Sequence, residues 1–82
     1  MQDRTPFANR PFDALAFHQG EAARLARRAL VLSRHAADCE RWGLCADAGS
    51  ARALATVLRV DALAEESRAV AMAARLAGGE RS

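Results

Sequence analysis

The feature that most constrains this chain is a heptad pattern of apolar residues, spaced alternately three and four positions apart. The pattern runs between residues 12 and 41 and comprises Leu15, His18, Ala22, Leu25, Ala29, Leu32, Ala36 and Cys39. Such spacing places the residues along one side of an α-helix, where they pack against a neighbouring helix. The pattern therefore predicts a long first helix that is paired along its whole length.

A second helix is predicted from about Ala51 to Ala77. Ser50 precedes it, and a serine hydroxyl can accept a hydrogen bond from an otherwise unpaired amide of the first turn. Gly78–Gly79 follow it, and glycine is common just beyond helix ends. The first helix is expected to end at Trp42–Gly43, and residues 44–49 form the predicted connector. The chain thus reads as an antiparallel α-hairpin.

Two variants of this all-α fold remain open at the level of sequence. Gly20 lies inside the first helix and costs about 1 kcal/mol relative to alanine, so the helix can divide there. Asp61 can instead cap a third helix. The predicted organisation is a flexible arm at 1–11, a hairpin domain at 12–77 and a disordered tail at 78–82.

Both helices carry a second apolar seam. In helix 1 it consists of Ala16, Ala23, Ala26, Leu30, Ser33 and Ala37. In helix 2 one seam consists of Ala53, Val57, Val60, Ala64, Ser67, Ala71 and Ala74, flanked by Leu63 and Val70. The other seam of helix 2 consists of Ala55, Leu58, Ala62, Glu65, Ala69, Met72 and Leu76. Alanines also recur every seven residues in both helices, which favours close helix packing.

Two seams per helix predict two neighbours per helix, because a helix with one partner needs only one apolar stripe. A single hairpin supplies one neighbour. The economical solution is a four-helix bundle formed by two chains. The predicted interface anchors are Leu30, Leu58, Met72 and Leu76.

Charge and composition argue against several other classes of function. Twelve basic and ten acidic residues give a net charge of +2, which is too small to favour nucleic acid or anionic membrane. No apolar run is long enough to span a bilayer, so the expected location is the cytoplasm. All the basic residues are arginines, which is typical of GC-rich coding and favours a bacterial source.

One group of residues suggests a metal or thiol chemistry. His35 and Cys39 lie one helical turn apart, and Cys45 follows six residues later. Imidazole and thiolate ligands suit Zn or Cu(I). The alternative is that Cys39 fills a core position as a small hydrophobic residue, with a bridge between the two cysteines as a third possibility.

Glu65 is the one acidic residue in these seams. A hairpin that turns near residue 46 would place it opposite Arg27 or Arg28 and far from His18, and the predicted structural pair is between Glu65 and Arg28. No phosphate-binding loop or nucleophile motif is present, so an enzyme is not expected. The sequence instead predicts a protein–protein interaction module, either a homo-oligomer (most simply a homodimer) or a small regulatory or accessory subunit of a larger complex. The alternative is a Zn- or Cu-binding or thiol-redox bundle.

Overall fold

The computed structural model describes residues 11–79 of the chain, which form two α-helices packed against each other as a hairpin. Helix α1 spans Pro11–Arg41 and helix α2 spans Cys45–Gly79. The predicted all-α hairpin is confirmed. Neither helix is interrupted, at Gly20 or at Asp61, so the described residues contain no third helix.

The predicted segments at the two ends of the chain fall mostly outside the described residues. Of the predicted arm at 1–11, the structure describes Pro11, which begins α1. Of the predicted tail at 78–82, it describes Gly78 and Gly79, which continue α2 for two residues beyond the expected end at Ala77.

Gly43 reverses the chain between the two helices. It has a φ of 80°, a left-handed conformation that glycine adopts without steric cost. The amide of Leu44 donates to the Cys39 carbonyl over 2.8 Å, and the amide of Gly43 donates to the Glu40 carbonyl over 3.1 Å. These two bonds form a Schellman motif, which satisfies carbonyls at the end of α1. The predicted end of α1 at Trp42–Gly43 is therefore confirmed.

Helix α2 begins six residues before the predicted start at Ala51. The amide of Ala48 already donates to the Leu44 carbonyl over 3.0 Å, so residues 45–49 of the predicted connector belong to α2. Asp47 lies in the first turn, where a negative charge interacts favourably with the helix dipole. Because the turn is short and centred on Gly43, the two helices meet in a different register from the one expected for a turn near residue 46.

The core of the hairpin consists mainly of alanine. The eleven buried apolar residues are Ala14, Ala22, Ala29, Ala36, Cys39, Ala48, Ala51, Ala55, Leu58, Ala62 and Ala69. Apart from Ala14, they come from the first seam of α1, from the seam of α2 that contains Leu58, and from the start of α2. The thickness of the molecule is 13 Å, close to the 10–12 Å diameter typical of one helix with its side chains. In a single layer of two helices, each helix is covered only on the side that faces its neighbour.

Candidate protein-interaction surface

Large apolar side chains lie on the outside of this hairpin. Nine of its eleven buried residues are alanines, whereas eleven larger apolar residues are 43% to 68% exposed. The exposed set is Phe12, Phe17, Leu30, Val31, Trp42, Leu44, Leu54, Val57, Val60, Leu63 and Val70. Large aliphatic residues are normally the most buried ones, and clustered exposed apolar residues mark interaction sites. The candidate site is therefore a surface of the hairpin.

The most regular part of this surface is a stripe along α2. Val57, Val60, Leu63 and Val70 are 53%, 59%, 61% and 68% exposed, respectively, and we call these four residues the outer stripe. At about 100° of rotation per residue, Val60 lies opposite the buried positions Ala55, Leu58, Ala62 and Ala69. Val57 lies on one flank of α2, and Leu63 and Val70 lie on the other. The outer stripe belongs to the predicted seam of Ala53 to Ala74 with its flanking residues, and α1 does not cover it.

A groove between the two helices adjoins the outer stripe. It consists of two open depressions, of about 430 and 390 Å³, that share Ala22, Ala26 and Glu66. Its remaining lining residues are Gln19, Ala23 and Leu30 from α1 and Arg59, Ala62, Leu63, Ala69, Val70 and Ala73 from α2. The second seam of α1 thus reaches the same groove as Leu63 and Val70 of the outer stripe.

Two opposite charges lie on the α2 side of the groove. Arg59 donates from its Nη2 atom to the Ser33 hydroxyl over 2.5 Å. Glu66, seven residues later, is exposed, and within residues 11–79 no ion pair involves it. At a rise of 1.5 Å per residue the two positions lie about 10 Å apart along the helix. Leu63 lies between them.

The predicted interface anchors occupy different environments. Leu30 is 50% exposed and lines the groove. Leu58 is only 7% exposed and packs inside the hairpin, which leaves little of its surface for a contact with another chain. Met72 and Leu76 are partly exposed and lie on the same seam as Leu58. That seam faces α1 because its repeating alanines allow close approach of the helices.

Glu65 contacts His18, and the prediction that it pairs with Arg28 was wrong. His18 Nδ1 and Glu65 Oε1 are 2.5 Å apart, and Arg68 contacts the other carboxylate oxygen of Glu65 over 2.8 Å. The His18 and Glu65 side chains are 20% and 19% exposed. The early start of α2 explains the difference, since it moves Glu65 toward the N-terminal half of α1. A polar contact thus joins the helices far from the turn.

The predicted metal ligands are only partly brought together. Cys39 Sγ and His35 Nε2 are 3.5 Å apart, with Cys39 buried. Cys45 is exposed, and both thiols are free, so the cysteines are not bridged. Throughout the part of the chain that the structure describes, no three or more histidine, cysteine or acidic side chains form a group that could hold a metal ion.

Exposed ion pairs also stabilise the hairpin surface. The hydrogen bond from the Arg24 guanidinium, together with its charge, lowers the pKa of Glu21 below its ordinary value. A hydrogen bond from Arg52 likewise lowers the pKa of Glu40, and this pair joins α1 to α2 over 2.6 Å. Both pairs are exposed, so solvent screens them, and neither forms a cleft with a reactive group.

Comparisons with protein-family models, with curated proteins and with solved structures find no match to this chain. The function must therefore be argued from the surface itself. Among residues 11–79, neither helix is long and apolar enough to cross a membrane.

Sequence reasoning found the outer stripe as a seam but chose its anchors from the opposite seam. The signal that separates the two was present in the residue sizes. Ala55, Ala62 and Ala69 recur every seven residues and match the repeat of Ala22, Ala29 and Ala36 in α1. Two small-residue seams pack most closely against each other, which leaves the valines and leucines outside. The opposite charges of Arg59 and Glu66 were missed because only their position on the groove makes them notable.

Proposed function

We propose that this protein is a non-enzymatic interaction module whose outer stripe and groove bind helices of another protein chain. One observation carries the proposal: the hairpin buries its alanines and exposes its valines and leucines. Burying a large aliphatic side chain contributes about 1.5–3 kcal/mol. More than half of each outer-stripe side chain is exposed, so most of that stabilisation is available only on association.

The geometry of the surface favours helices as the bound element. The groove runs between two antiparallel helices and half of its lining residues are alanines, whose small side chains let a further helix approach closely. Two added helices would complete a four-helix bundle, in which every helix has two neighbours. The partner is a second copy of the chain or a helical hairpin of a larger protein, to which this chain would be a small accessory subunit.

A matched pair of valine substitutions tests the proposal. Val70 and Val31 are 68% and 62% exposed, but only Val70 lies on the outer stripe and groove. In Val70→Glu a charge must be buried on association, which is costly without a partner. Val31→Glu adds the same charge outside the stripe and groove.

The measurement is the native molecular mass by light scattering, together with the mass of any protein that co-purifies. We expect the natural chain and the Val31→Glu variant each to form assemblies of at least two chains, either with further copies of itself or with a different protein. The Val70→Glu variant should no longer form these assemblies. Circular dichroism checks that both variants remain helical. A cooperatively folded, partner-free monomer at micromolar concentration, unaffected by Val70→Glu, would contradict the proposal.

The alternative of Zn or Cu binding, or of thiol-redox chemistry, is supported by the contact between His35 and Cys39. A metal site here would also need Cys45 as a ligand. Cys45 is exposed, whereas Cys39 is buried. A thiol reagent should label Cys45 quickly and Cys39 slowly, because the reaction needs an accessible thiolate. Protection of both thiols by Zn²⁺, abolished by His35→Ala, would favour the metal-binding alternative.

A further inference from the structure

The charges along the groove specify which chain can fill it. Arg59 and Glu66 lie on the same side of α2, with Leu63 between them. An arginine and a glutamate about 10 Å apart along one helix cannot both find their complement in a helix of uniform charge. They match a surface that presents a glutamate and an arginine at the same separation in the reverse order. The α2 helix of another copy, turned end for end, is such a surface.

We infer that a second copy of this chain fills the groove, with its α2 antiparallel to the first and a twofold axis near Leu63. Arg59 of each copy then meets the partner's Glu66. This inference rests on the proposed function and names the occupant of the same surface. A copy in parallel orientation, with α2 against α2, would bring like charges together, which is destabilising.

The same twofold arrangement also matches the apolar residues. An axis near Leu63 brings the two Leu63 side chains close together. Val70 lines the same groove as Leu63 and is covered together with it, whereas Val57 lies about half a turn of α2 away from Glu66 and stays outside this contact. Such self-complementarity is what an isologous interface requires, because each contact occurs twice.

The two ion pairs set orientation more than strength. Each pair would lie in the groove between four helices and would lose part of its hydration, a cost that can offset most of its electrostatic gain. The Ser33 hydroxyl, which already accepts a hydrogen bond from Arg59, helps to hold the guanidinium in the groove. Charge reversal should therefore control which copies associate, while the apolar stripe supplies most of the affinity.

Charge-reversal variants test this reciprocity directly. Arg59→Glu leaves two acidic residues in each groove, and Glu66→Arg leaves two basic ones. Each variant alone should self-associate at least tenfold more weakly than the natural chain in sedimentation velocity. The double variant restores complementarity and should associate within about threefold of the natural chain. Both positions are exposed, so the variants should keep their helix content.

Mixing the two single variants gives the decisive measurement. In an equimolar mixture each acidic groove can pair with a basic groove, so a one-to-one heterodimer should form at concentrations where neither variant self-associates. Failure of the mixture to associate, or equal self-association by all variants, would overturn the inference. If the natural chain is monomeric but Val70→Glu releases a different co-purifying protein, the interaction module stands and the second copy is wrong.

Discussion

The two sides of α2 differ in the size of their apolar residues: the small ones are buried and the large ones are exposed, which is the opposite of most protein cores. The side facing α1 contains mainly alanine, with Leu58 as its one large buried side chain, whereas the outer stripe consists of a leucine and three valines. The inner side gives close helix contact with little apolar area. The outer side offers more apolar area, and more than half of each of its side chains is exposed. This contrast is the reason for proposing that the hairpin contributes one half of a shared core.

The largest effect should come from truncating the buried leucine. Leu58→Ala removes a side chain that is 7% exposed, and such truncations cost about 2–5 kcal/mol of unfolding free energy. Leu63→Ala, on the outer stripe at a position that is 61% exposed, is the matched control because it removes the same atoms. Thermal unfolding followed by circular dichroism should show a lower midpoint for Leu58→Ala at every protein concentration.

Concentration separates the two sides of α2 in this experiment. If Leu63 is buried only on association, the effect of Leu63→Ala should be present at high protein concentration and shrink on dilution, since association stabilises the folded state by mass action. An effect of Leu63→Ala that is as large as that of Leu58→Ala and independent of concentration would mean that both sides are buried within one chain.

Much of the fold could be predicted from sequence because it depends on periodicity. The heptad spacing of α1 and the glycine at its end specify a helix and its stop locally. The start of α2 was misplaced because Ser50 is a good capping residue, yet Gly43 alone suffices to reverse the chain. That shift changed the register and with it the partner of Glu65. Register depends on the exact turn, which local patterns do not determine.

The site was harder to predict than the fold for a physical reason. A helix with two apolar seams can turn either one toward its neighbour, and hydrophobicity alone does not determine which seam packs inside the hairpin. The distance between the helices determines it, since the alanine seams of α1 and α2 allow the closest approach. Leu58 and Val57 are adjacent in sequence and similar in apolar character, so only the side of the helix on which each lies decides its role.

An intermediate effect is expected at the contact between His18 and Glu65. His18→Ala removes the interhelical partner of a carboxylate that is 19% exposed. Losing a hydrogen bond to a charged group costs about 1–3 kcal/mol, and partial exposure favours the lower end of that range. Arg28→Ala serves as the control, because Glu65 contacts His18 and Arg68 instead. Urea unfolding should show a larger loss of unfolding free energy for His18→Ala than for Arg28→Ala. A larger loss for Arg28→Ala would instead support the register expected for a turn near residue 46.

The smallest effect is expected at the pair between Glu40 and Arg52, which joins the two helices at an exposed position. The hydrogen bond from Arg52, with its charge, lowers the pKa of Glu40 in the folded chain. Because the folded pKa is below the unfolded one, the stabilisation is present above the ordinary pKa of a glutamate and is lost as the pH falls through the folded value. Glu40→Gln should therefore lower the midpoint of thermal unfolding slightly at pH 7. The difference should vanish in acid and shrink at high salt, as screening of an exposed pair requires. A difference that persists in acid would show that Glu40 contributes by packing. The side of α2 that is packed inside the hairpin would then extend to the position of Arg52.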